Sequence, residues 1–111
     1  MVPEGGGEMY RVSVMYPNVE GAKFDILYYK NTHMKLVQEQ MKPFGLIRTE
    51  TDKAVSGGTG KQAPFIGIGH LYFEEADGYD RAIAEKGSLL REDIPNFTNV
   101  TPIRQISEIL D

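Results

Sequence analysis

The chain has two histidines, His33 and His70, six tyrosines and no cysteine. Histidine is the side chain whose ordinary pKa lies near neutrality, so either imidazole suits proton transfer to or from a phenol or enol. His33 falls in YYKNTHMKLV, residues 28–37, where a plain core helix would carry another aliphatic. It has two readings: an acid–base residue beside a pocket, or a buried histidine bonded to backbone or to a tyrosine. His70 lies mid-strand with Ile66, Ile68 and Tyr72 on its face, which suits a structural residue as well. If the two histidines reach one cavity they form an acid–base pair. If they lie on opposite faces of a sheet they do not, and residue order alone leaves the faces open.

Around them stand residues able to hold a ligand. Tyr16, Tyr29 and Tyr72 each offer a wide apolar ring with one polar handle, as a planar aromatic ligand requires and as ordinary core tyrosines also do. Asn96 either fixes its loop by bonding backbone or presents an amide to a ligand. Phe97 sits beside it in the loop before the last strand and is counted with it as a candidate substrate-binding residue. Arg11 on the first strand has two readings, a carboxylate-binding residue or, more simply, a member of an interface or surface ion pair.

Several chemistries are excluded or unsupported. Without cysteine there is no disulfide, zinc–thiolate site or thiol nucleophile. Two histidines and scattered acids have no metal-ligand spacing, and no haem motif accompanies either, so no metal or cofactor is expected. SGGTGKQ, residues 56–62, fails as a phosphate loop: Val55 stands at its first glycine position and Gln62 at its Ser/Thr position. Gly67-x-Gly69 lies inside a strand pattern and is no dinucleotide fingerprint.

Composition narrows the partners. Sixteen acids against twelve Lys and Arg give a net charge of −4, which argues against a nucleic-acid binder. No apolar run approaches the about 20 residues of a membrane span. MVPEGGGEMY has neither the basic nor the apolar part of an export signal, so a cytoplasmic location is expected. Residues 1–8 read as a flexible or vector-derived arm, and 9–111 as one domain.

The elements that must carry these residues follow from periodicity. MYRVSVMY, residues 9–16, alternates as a strand, with Tyr10, Val12, Val14 and Tyr16 on one face. A helix starts at Asp25, a good N-cap, and stops at Pro43 and Gly45. At 100° per residue Ile26, Tyr29, His33, Leu36 and Val37 form its apolar sector, while Tyr28, Asn31 and Lys35 point away. Residues 46–55 form a more polar strand and 56–62 a mobile connection. PFIGIGHLYF, residues 64–73, is a second strong strand, and glycines 67 and 69 on one face imply something packed close to the backbone. A second helix spans about 75–86 and breaks at Gly87. A rigid loop over 94–102 leads to a last strand at 102–109.

The order β-α-β-β-α-β is the split βαβ pattern of an α+β, ferredoxin-like fold: a four-stranded antiparallel sheet with two helices on one face. Its other face needs cover, and a second copy packed sheet on sheet is the simplest, so a homodimer is expected.

YPN at 16–18, FDxxYYxNTHMxLV at 24–37, IGHLYF at 68–73 and DIPNFTNVTP at 93–102 together resemble the EthD-like proteins of the dimeric α+β barrel superfamily. The resemblance covers about residues 10–109. Lys35 departs from it, standing where proline is expected in many relatives. The family takes its name from ethyl tert-butyl ether degradation. The resemblance implies a barrel built by two subunits, a pocket between sheet and helices in each, and a histidine at position 33. Related barrels include polyketide cyclases, muconolactone isomerases, quinol-type monooxygenases and haem-binding branches, so the scaffold is better determined than the reaction.

Two functions are therefore expected to compete. One is a cofactor-independent enzyme of cyclase, isomerase or oxygenase type acting on a small aromatic, polyketide-like or lactone substrate, with His33 as acid–base residue and a tyrosine or His70 orienting the substrate. The other is a non-catalytic binding or accessory protein for a hydrophobic metabolite in a degradation pathway. The absence of a cavity near His33 would leave only a structural dimer.

Overall fold

Strand β1, Tyr10–Pro17, keeps the alternation of its sequence. Val12, Val14 and Tyr16 are buried, and Arg11, Ser13 and Met15 lie on the opposite, less covered face. This computed structural model describes residues 9–111, and the arm expected over 1–8 lies outside them. β1 is flanked by β3, Phe65–Phe73, and β4, Ile103–Glu108, while β2, Leu46–Lys53, pairs with β3 at the sheet edge. The order is β2-β3-β1-β4 and every neighbouring pair is antiparallel. Each helix thus connects two strands separated by an antiparallel neighbour, the split arrangement of a ferredoxin-like fold.

Helix α1 covers residues 26–41 and is not uniform. Asp25 caps it, accepting the Tyr28 N–H at 3.1 Å. After one turn, Ile26–Tyr28, comes a π-helical stretch, Tyr29–His33, in which the Met34 N–H reaches back five residues to the Tyr29 carbonyl. A regular α-helix, Met34–Met41, follows. The wide turn rotates what precedes it, and this overturns one expectation. Tyr28 does not point away but is half-buried against the end of the second helix. Tyr29 and His33 remain on the buried face, their rings stacked 5.6 Å apart at 17°.

Helix α2, Gly78–Asp93, also departs from expectation. Gly87 does not break it. A mid-helix glycine costs only about 1 kcal/mol, and burial of Leu90 beyond it, with Tyr79 and Ala82 before it, outweighs that. Both helices pack on the face carrying Val12, Val14, Tyr16 and Leu71. The glycines of β3 explain how closely. A Cβ on Gly67 would come 2.9 Å from the Phe24 ring, and one on Gly69 would collide with the Tyr29 hydroxyl.

The loop expected to be rigid over 94–102 is tied down by the segment before α1. The Asp25 N–H donates to the Phe97 carbonyl at 2.7 Å, the Thr98 hydroxyl to the Lys23 carbonyl at 2.6 Å, and the Lys23 N–H to Asn99 Oδ1 at 2.8 Å. This clasp brings the end of α2 against the start of α1. Among the described residues no helix is long and apolar enough to cross a membrane.

Candidate functional site

A cavity of about 220 Å³ opens between the sheet and the two helices. Val14 and Tyr16 of β1 and Leu71 of β3 form its floor. Tyr29, His33, Met34 and Val37 of α1 form one wall, and Tyr79, Ile83 and Leu90 of α2 the other. The cavity follows from the sequence pattern: the apolar faces of four elements converge, and Gly87, which has no side chain, lies along its lining on the second helix.

His33 reaches this cavity with one nitrogen already committed. Its Nδ1 lies 2.8 Å from Asp93 Oδ2. The same carboxylate accepts through Oδ1 from the Tyr28 hydroxyl at 2.7 Å and from Asn96 Nδ2 at 3.0 Å. Burial acts to raise the Asp93 carboxyl, but the hydrogen bonds from Tyr28, His33 and Asn96 outweigh it, and its pKa falls below the usual carboxylate value. An ionised carboxylate only accepts, so the hydrogen on neutral His33 must sit on Nδ1. Nε2 is then the basic atom, and it has no hydrogen-bond partner among the described residues. Burial lowers the His33 pKa below its ordinary value, with Asp93 pulling the other way. The ring is therefore neutral at pH 7, as a base must be.

The tyrosines stay protonated. Burial pushes Tyr16 up to about 12, and Tyr29 and Tyr79 also rise, chiefly by burial. Tyr29 donates its hydroxyl hydrogen to Tyr16, so Tyr16 and Tyr79 are the ones with a hydroxyl hydrogen to offer a ligand, and none of the three is a phenolate base. Phe97 stands behind the imidazole, its ring centre 4.7 Å from that of His33 and 4.9 Å from that of Tyr29. It is buried and holds the wall without lining the space. Asn96 likewise stands outside the cavity, its amide bonding Asp93 rather than the backbone.

His70 and Tyr72 are not part of this site. In the β1–β3 register Val14 faces Gly69 and Ser13 faces His70, so His70 projects from the opposite face of the sheet. Its Nε2 lies 2.7 Å from Asp52, and the Tyr72 hydroxyl donates to Glu50 at 2.8 Å. Arg48 stacks 4.0 Å from the centre of the Tyr72 ring. The two histidines cannot form an acid–base pair, because strand alternation sends residue 70 away from the face that residues 67, 69 and 71 present to the helices. Among the described residues no three His, Asp or Glu side chains gather as a metal site.

Asp93 is the member of this hydrogen-bonded cluster that sequence reasoning missed, although it opens the DIPNFTNVTP stretch. One signal was available: an acid closing a helix faces the negative end of the helix dipole, an unfavourable position unless donors meet it.

Fold and site together define a ferredoxin-like α+β protein with a histidine-bearing cavity between helices and sheet. The EthD domain model matches residues 22–101, and the chain belongs to that family. An EthD-like protein from Ralstonia eutropha is 31% identical over 93% of both chains, with a TM-score of 0.86. An ethyl tert-butyl ether D (EthD) family protein from Bacillus halodurans is 20% identical, covering 92% of this chain and 99% of its own, with a TM-score of 0.68. More distant in sequence is SnoaB, a cofactor-independent oxygenase from Streptomyces nogalater, which shares the fold at 9% identity, 94% and 92% coverage and a TM-score of 0.53. No curated protein matches the chain.

Proposed function

We propose that the protein is an enzyme that moves a proton on a small aromatic or cyclic substrate, with His33 as the base and no cofactor taking part. One observation carries this reading. His33 has Nδ1 held by an ionised Asp93 while its ring lines a cavity and Nε2 is unpaired. A carboxylate that fixes the tautomer through one ring nitrogen and leaves the other, beside a cavity, able to take a proton is the arrangement of a general base. Here Nε2 accepts a proton from a phenol, an enol or a carbon beside a carbonyl, and Asp93 stabilises the imidazolium that forms. Buried Tyr16 and Tyr29 line the same space, Tyr29 donating to Tyr16, whose own hydroxyl hydrogen is left to orient the substrate. Cavities of about 150 Å³ already hold benzene, so about 220 Å³ suits one six-membered ring with substituents. That SnoaB is a cofactor-independent oxygenase adds that this scaffold is compatible with such chemistry.

The test is turnover of a panel of small phenols, quinols and lactones by wild type and His33→Gln. The variant should lose about 10²–10⁴-fold in kcat with binding changed by only a few fold. Unchanged turnover would remove His33 from the mechanism. Binding across the panel with no turnover by wild type would favour a carrier of the same ligands.

The proposed partner is a second copy, sheet on sheet. The uncovered face presents Met15, Ile68 and the exposed Ile103 beside Tyr72, and the buried Nδ1 of His70 there has no partner within the described residues. Light scattering should give twice the 12.4 kDa chain mass, and Ile68→Lys should lower it. A monomeric wild type would end this proposal.

A further inference from the structure

Arg91 of α2 and Arg104 of β4 line the same cavity as His33. Both are exposed, whereas the floor and the α1 wall around Tyr16 and Tyr29 are buried, so the guanidiniums stand at the mouth. Their positions are built. Arg104 lies opposite Val14 across the β1–β4 ladder, which turns it to the helix side of the sheet. Arg91 lies one turn after Gly87, and a Cβ on Gly87 would come 2.8 Å from Arg91 Nη1. The missing side chain is what lets this guanidinium lie back along the helix over the cavity.

Neither arginine has a carboxylate within ion-pair distance among the described residues, although Arg48 and Arg81 are both paired with acids. Acids are not scarce in a chain of net charge −4. Asp93 is only two residues from Arg91, but residues two apart on a helix do not face each other, and its oxygens are taken by Tyr28, His33 and Asn96. Arg104 bonds the Tyr79 hydroxyl and lies within electrostatic reach of Tyr16 and Tyr29, all of them neutral groups. Two cations thus overlook an apolar space with no carboxylate among the described residues to meet them, and planar guanidinium groups suit carboxylate-type oxygens.

We propose that the ligand carries an anionic group of carboxylate type on its ring, held at the mouth by Arg91 and Arg104 while the ring enters toward His33. This rests on the cavity being a ligand site and is independent of catalysis at His33.

Calorimetric titration of the full chain with benzoate and with benzamide, its neutral isostere, tests it. Wild type should prefer benzoate by about tenfold, and added salt should shrink the preference. Arg104→Met and Arg91→Met should each weaken benzoate and leave benzamide unchanged, with Arg104→Lys restoring part of the loss and thermal melts showing all variants folded. His33→Gln should keep the preference. Equal affinity for the two probes, or a preference that survives both methionine substitutions, overturns the anionic assignment while leaving the ligand site intact. Failure of both probes to bind overturns the ligand site as well.

Discussion

Two histidine–aspartate pairs stand on opposite sides of one sheet. Their separations are nearly equal, 2.8 Å for His33–Asp93 and 2.7 Å for His70–Asp52. Their surroundings are not. The first pair has side chains 7% and 15% exposed, under two helices and beside a cavity; in the second, Asp52 is 55% exposed on the open face. Asp93 collects three donors and Asp52 one. In a low-dielectric interior a satisfied network of this kind orients its members, and an exposed pair competes with water and salt. Contact distance therefore says little about function here; burial, the donors that meet the carboxylate and the adjoining space say more.

The largest separation between the pairs is expected in turnover. His33→Gln should suppress it by the about 10²–10⁴-fold of a lost general base, and His70→Gln should leave it unchanged. Equal losses would erase the distinction. Next comes stability. Asp93→Ala leaves Tyr28, His33 and Asn96 without their common acceptor and should lower unfolding free energy by about 1–3 kcal/mol, read from denaturant midpoints. Asp52→Ala should shift the midpoint within error. A smaller effect lies in pH. The folded pKa of His33 is below its ordinary 6.5, so the unfolded chain binds that proton more readily. The stability tied to neutral His33 is complete above about pH 6.5 and is lost as pH falls from there toward the folded pKa. Asp93, also depressed, adds its loss only in the more acid range below the ordinary carboxylate value. Melting temperature followed from pH 7 to 5 should fall in wild type and less in His33→Gln; parallel curves would contradict the burial of His33.

Much of the scaffold was legible from residue types. β1 and β3 alternate, Asp25 caps α1, and Gly67 and Gly69 do receive Phe24 and Tyr29 against the backbone. Tyr28 was misread because 100° per residue does not describe a π turn. Gly87 was misread as a stop because local propensity is weaker than the packing of Leu90.

The sequence by itself determined the element order, the fold class and the place of His33 on the buried side of its helix, since those follow from periodicity within one segment. Only the tertiary structure decided that His70 lies across the sheet, that Asp93 orients His33 from 60 residues away, and that Arg91 and Arg104 stand at the cavity mouth. Periodicity tells a residue which face of its own element it occupies. Which element lies opposite, and whether the two leave space between them, depends on strand register and helix packing that no single segment encodes.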